Sequence, residues 1–154
     1  MAEVVAIFIA RGAAAAMEAV PEASLEAGRG ISGDRYYFGA GTFSNQDKHR
    51  PDSEVTLIES EQVEHFNQVT GQSLDYGAPR RNVVTRGISL NDLVGVRFRV
   101  GEVVLEGIRL CEPCAHLARL VNPQVVPELV HRAGLRATIV SPGRIRPKDI
   151  ISAA

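Results

Sequence analysis

The sequence is poor in cysteine, holding two in 154 residues, at positions 111 and 114. That is too few for a secreted disulfide framework, and the close spacing suits a redox or ligand role better. No excess of cations is present either: 17 Lys and Arg stand against 18 Asp and Glu, for a formal net charge of −1. Non-specific nucleic-acid binding and attraction to anionic membranes both need a basic surplus, so neither partner is expected. Long apolar runs are missing as well. The first, Val4–Ala10, follows an acidic residue rather than a basic leader and stops at Arg11, too short to span a bilayer. There is no repeat, and no low-complexity tract beyond Ala13–Ala16. These absences point to a cytoplasmic protein with reduced thiols and a small or locally charged ligand.

What is present fits one domain over 1–154. The apolar share of 45% and charged share of 23% are those of an ordinary globule. A chain of this size buries roughly two-thirds of its unfolded surface and needs no staple. Val4–Ala10 reads as a strand buried on both faces, and Glu54–Ile58 as another. Ser60 is a candidate N-cap for a helix with Val63, Phe66 and Val69 on one face and Gly71 as its stop. Ser89 and Asp92 resemble a capping box, with Leu90, Leu93 and Val94 inward. Val96, Phe98 and Val100 alternate with Arg97 and Arg99, and Gly101 turns the chain into a strand over Glu102–Cys111. Pro127 and Gly134 bracket a short helix; Ala137–Val140 is strand-like, and Arg144–Ile151 is a last strand. Many short strands without regular β-α-β alternation predict a mainly β, barrel-like domain with peripheral short helices.

Two segments carry chemistry. Gly28, Gly30 and Gly33 force sharp turns before Asp34, which is as well suited to holding a turn as to catalysis. In Arg109–Cys114, strand periodicity projects Arg109 and Cys111 together, Pro113 ends the ladder, and Cys114 opens a stretch with helical spacing. A thiol at a helix start beside guanidinium groups has its thiolate favoured, as sulfur transfer and soft-metal ligation both require. Three other readings stay open for the pair: two small buried hydrophobes, a zinc site completed by His116 and His131, and a thioredoxin-like dithiol. The zinc reading lacks a second cysteine pair, and the dithiol sits too late in the chain for a thioredoxin fold. His116 falls on a different side of a helix from Cys114, and His49 and His65 look like surface residues. Arg80, Arg81 and Asn82 offer bidentate and amide donors suited to a phosphate or pterin-type ligand, or else form a solvated basic loop.

Five segments in order resemble the MOSC domain, the C-terminal domain type of molybdenum-cofactor sulfurases. They are the glycine-rich 28–36, the strand 54–59, Arg80-Arg81-Asn82-Val83-Val84-Thr85-Arg86-Gly87-Ile88-Ser89-Leu90, the segment 95–101, and Leu105–Cys114. Two departures stand out. Lys148 replaces the glycine of the family's closing Gly-Asp, from which a rebuilt last turn is expected. Two cysteines also occupy the place of one, with Cys114 the better match and Cys111 close behind. The resemblance implies a barrel like the β-barrel domain of pyruvate kinase. It also implies a protein that binds molybdenum cofactor or a related ligand, or carries sulfur on Cys114 or Cys111, with Cys114 the metal ligand. Arg35, Arg80, Arg81, Asn82 and Arg109 would hold the anionic part of the ligand. No pyridoxal phosphate is expected in this chain, so a desulfurase would supply sulfur and a molybdoenzyme would receive it. The alternatives are a reductase of N-hydroxylated compounds with the cofactor retained, and a non-catalytic partner-binding module; whether the chain is an enzyme is left open.

Overall fold

The computed structural model describes residues 1–12, 14–37, 53–112, 124 and 128–154. Among these, the chain forms a mainly β domain with one α-helix and a mixed sheet. In chain order the strands are β1 (Glu3–Ile9), β2 (Glu18–Ala19), β3 (Ala23–Glu26), β4 (Gly30–Ile31), β5 (Val55–Glu59), β6 (Val83–Arg86), β7 (Arg97–Val100), β8 (Val103–Leu110), β9 (Leu135–Ser141), β10 (Gly143–Ile145) and β11 (Ile151–Ala153). Helix α1 spans Ser60–Thr70. Eight strands make one sheet in the order β11-β7-β8-β9-β5-β6-β1-β2, and β10-β3-β4 make a second. No helix among the described residues is long and apolar enough to cross a membrane.

The expected strand at the start buries one face and half-buries the other. Val4, Ile7 and Ile9 enter the main core with Leu25, Leu57, Val83, Phe98, Val100, Leu105 and Leu135. Val5, Ala6 and Phe8 pack on the other side against Ile58, Val63 and Val84. A register shift between Val4 and Ala6 moves the inward set from even to odd positions. Between β5 and β6, α1 makes the crossover that their parallel pairing demands.

Several boundaries differ from expectation for local reasons. The N-cap of α1 is Glu59, not Ser60, and makes no side-chain cap bond; instead the Glu59 carboxylate accepts from Leu90 N at 3.1 Å. Val63 and Phe66 are buried, but Val69 stands 51% exposed. Gly71 does close it in the left-handed conformation, with φ 72°. Residues Leu90–Leu93 form a 3-10 turn at whose N-cap, Ser89, no side-chain bond is made. Val94 and Val96 follow it at 43% and 42% exposure, so neither points inward. The strand expected over Arg144–Ile151 is two short ones in different sheets, β10 on β3 and β11 on β7, parted by the turn at Arg146–Asp149. Helix residues Glu128 and Leu129 are described, but the start expected at Pro127 lies outside the described residues.

Along β8 the inward residues are Val103, Leu105 and Gly107, and then the register shifts between Gly107 and Arg109. Gly107 is the site of close approach: a Cβ there would strike the carbonyl of Leu93. The bulge leaves Arg109 exposed and Cys111, the next residue of its own parity, buried at 1%. The alternation that joined the two therefore does not give them a common exposure.

In the last turn, Lys148 stands where the family pattern has glycine. Lys148 adopts φ 78°, the left-handed conformation natural to glycine, and is held by its N–H to Val4 O at 2.7 Å. A non-glycine residue there costs about 1–2 kcal/mol. Lys148→Gly should therefore raise the unfolding free energy by about 1 kcal/mol in urea titration. Gly134→Ala should lose about 3 kcal/mol or more, since its Cβ would strike the carbonyl of Leu57 on a backbone already at φ 112°.

Candidate functional site

Beside β1, the ends of β5, β6 and β8 gather a buried polar cluster. Asp34, fully buried, is its hub. One carboxylate oxygen accepts from Ala10 N at 3.0 Å, Arg35 Nη1 at 3.1 Å and Asn82 Nδ2 at 3.2 Å; the other accepts from Tyr36 N at 3.2 Å. The three glycines upstream all have positive φ, at 79°, 116° and 89° for Gly28, Gly30 and Gly33. They bend the β3–β4 hairpin so that Asp34 turns inward under β1.

Asn82, also fully buried, spends its amide inside the fold. Nδ2 donates to Phe8 O at 3.1 Å as well as to Asp34, while Oδ1 accepts from Thr56 N and Thr56 Oγ1, both at 3.1 Å. The side chain that sequence chemistry offered to a ligand thus laces β1, β5 and the Asp34 turn together.

The arginines divide. Arg35, 5% exposed, bonds Asp34, sends Nη2 to Arg80 O at 3.0 Å and lies 4.5 Å from the centre of the Tyr36 ring. Arg136 lies against the same ring at 5.8 Å. Arg81, 7% exposed, donates from Nε to Ala133 O at 2.8 Å and from Nη2 to Cys111 O at 3.2 Å. Arg109 stands exposed on the far side of the β8 bulge.

Arg80 differs from the rest. It sits at φ 67° and fixes Nη1 on Ala15 O at 2.6 Å, while its buried Nη2 has no hydrogen-bond partner. Burial first, and then the Arg35 charge, pull its pKa below the ordinary arginine value. It lines a cleft of about 400 Å³ with Phe8, Met17, Leu74, Asp75, Gly77 and Ala78. Gly77 is required there, since a Cβ would come within 2.8 Å of the Phe8 ring. The cleft thus sets a guanidinium crowded by a second cation and the Asp75 side chain against an apolar wall.

Of the cysteines, Cys111 is a free, enclosed thiol at the end of β8, and Cys114 lies outside the described residues, as do His49 and His116. His131 is engaged by Glu112, whose carboxylate meets its Nδ1 at 2.7 Å and its backbone N–H at 2.7 Å. Among the described residues no three His, Cys, Asp or Glu side chains gather to hold a metal. Sequence reasoning missed Thr56, Met17, Glu112 and Arg136; each joins the site through pairing between distant segments, which local periodicity does not carry.

A family model of the MOSC domain matches residues 34–152. The fold is similar to that of the YuaD protein of Bacillus subtilis, with TM-score 0.82 at 16% identity over 98% of this chain and 94% of that one. It is also similar to YiiM of Geobacillus stearothermophilus, with TM-score 0.77 at 14% identity over 100% of this chain and 75% of that one. YiiM of Escherichia coli gives TM-score 0.73 at 15% identity over 100% and 70%. No curated protein matches the sequence.

The hub makes a direct demand on stability. Asn82→Ala strands Asp34, the Phe8 carbonyl and the Thr56 N–H away from water. It should cost about 3 kcal/mol, read from the urea midpoint at constant slope.

Proposed function

Because the chain belongs to the MOSC domain family, we propose that it binds the molybdenum cofactor, or a ligand with a similar anionic group, at the Arg80 cleft and carries sulfur on Cys114. The observation that carries this reading is the half-buried Arg80 side chain, which lines the cleft beside Arg35 and whose enclosed Nη2 has no hydrogen-bond partner among the described residues. A bound anion offsets the repulsion between the two cations and supplies the missing acceptor. Phe8, Met17 and Leu74 give the cleft an apolar wall for a flat ring system. The donor set therefore fits the phosphate and pterin parts of the cofactor, which when bound supplies redox chemistry and sulfur ligation at molybdenum.

The chain's own contribution is to bind and to hold a thiol. Arg80 takes the anionic end, with Arg35 fixing its main chain through the Arg80 carbonyl. Cys114, the better match to the family's cysteine, is the proposed acceptor, and the enclosure of Cys111 supports that choice. As a thiolate it attacks the outer sulfur of a donor persulfide. The Cys114–S–SH bond forms, the donor S–S bond breaks, and the donor leaves as its thiolate. A desulfurase is the donor this scheme requires, and a molybdoenzyme the acceptor.

We also propose that the sheet closes into the barrel the family resemblance implies. Its support is the outer edge of β1, where Val4 N donates to Asp149 O at 2.9 Å, Lys148 N donates to Val4 O, and Ile151 N donates to Ala2 O at 3.0 Å. With the bridge between Glu3 and Ile150, these bonds run from β1 to the segment leading into β11, at the opposite end of the strand order.

Protein purified from molybdenum-replete cells should contain molybdenum, or added sulfur on Cys114 by peptide mass, and Arg80→Ala should lose the first. Neither metal nor sulfur in the wild-type protein would overturn the reading. In vitro, inorganic phosphate at a hundred times its Kd should stabilise the wild type by about 2.7 kcal/mol and leave Arg80→Ala unchanged.

A further inference from the structure

Arg80 and Arg81 are neighbours with opposite commitments. Arg80 lines the cleft and leaves Nη2 without a hydrogen-bond partner among the described residues, while both donors that Arg81 places go to main-chain carbonyls, Ala133 O through Nε and Cys111 O through Nη2. Those carbonyls flank the point where the chain leaves β8 and returns to β9, and Cys111 N bonds Gly134 O across the same gap at 2.8 Å. A planar guanidinium holds its donors in a fixed fork, so it sets the separation of the two carbonyls as an ammonium cannot.

A second layer lies outside it. Glu112 accepts the backbone N–H of His131 on Oε1 and faces its Nδ1 with Oε2, and Asn91 Nδ2 donates to His131 O at 2.9 Å. His131 is at φ 59°, a conformation that costs a non-glycine residue about 1–2 kcal/mol. It is sustained because its N–H, its carbonyl and its ring nitrogen are all held, and such over-determined strain concentrates at functional sites.

We infer that Arg81 is a positioning residue: together with Glu112 and His131 it clasps the two strand ends that frame the cysteine segment, and it does not hold ligand. The contrast with Arg80 rests on the cleft reading given above; the clasp itself does not. In place of the anion contact expected from sequence, Arg81 sets the frame on which Cys111 is buried and from which the chain leads to Cys114.

The test uses Cys114→Ser protein, so that Cys111 is the one remaining thiol, labelled with a maleimide under native conditions. Arg81→Lys should raise the labelling rate by about tenfold or more, because opening of the strand end limits access to the sulfur. Its affinity for inorganic phosphate by calorimetry should stay within about threefold of the parent. Ile58→Val, in the cluster under α1, serves as a control of comparable destabilisation. If that control speeds labelling as much as Arg81→Lys does, the effect is general loosening and the inference fails. It fails equally if Arg81→Lys weakens phosphate binding tenfold with labelling unchanged, since Arg81 is then a ligand group. Should Arg81→Lys not fold, Glu112→Gln probes the clasp from its solvent side, with an expected rise of about threefold and no rise as the refuting result. Labelling requires no ligand, so an Arg80→Ala variant that keeps its phosphate affinity overturns the cleft reading alone. The labelling series then still decides the role of Arg81.

Discussion

The structure depends on one buried contact, the bond between Asp34 and Asn82. A carboxylate out of water is tolerated only when its lone pairs are taken up, and Asp34 meets that demand with two backbone N–H groups, an amide and a guanidinium. The amide that serves it is committed in turn to Phe8 and Thr56, on β1 and β5. The glycine hairpin, the first strand and the central parallel pair thus share one network. Partial satisfaction of such a network is worse than none, so the pieces form together.

That network also explains how cations come to crowd at one place. Asp34 neutralises Arg35, and Arg35 then grips the carbonyl of Arg80, holding a second guanidinium close to the first. The arrangement sets two guanidinium groups close together beside a cleft that Asp75 also lines.

Much of the fold was legible in the sequence. The strands β1, β5, β7, β8 and β9 announce themselves by apolar runs and alternation, and the stop of α1 by Gly71. The two-residue strands β2 and β4 carry no pattern of their own and exist only through pairing. The bulge at Gly107–Arg109 was equally silent, because a register shift against β9 leaves no mark in the alternation of β8, and the close approach of Leu93 to Gly107 comes from a separate turn. In the site, side-chain chemistry marked out Arg35, Arg80, Arg81 and Asn82, and these do lie together. It did not separate their jobs, because a donor aimed at a ligand and a donor aimed at a carbonyl read the same in one dimension. Arg109 differs from them in being exposed, beyond the bulge that the sequence concealed.

The bonds from Ala2 and Val4 to residues 148–151 bear on how the protein is made. A strand whose outer edge is completed by residues synthesised long after it cannot settle until those residues have left the ribosome. Until then it offers bare N–H and C=O groups, the feature by which nascent chains recruit chaperones or stick to one another. Joining the two ends through a short linker and opening the chain elsewhere would place the two partners side by side from the outset, and the rearranged protein should fold with less aggregation.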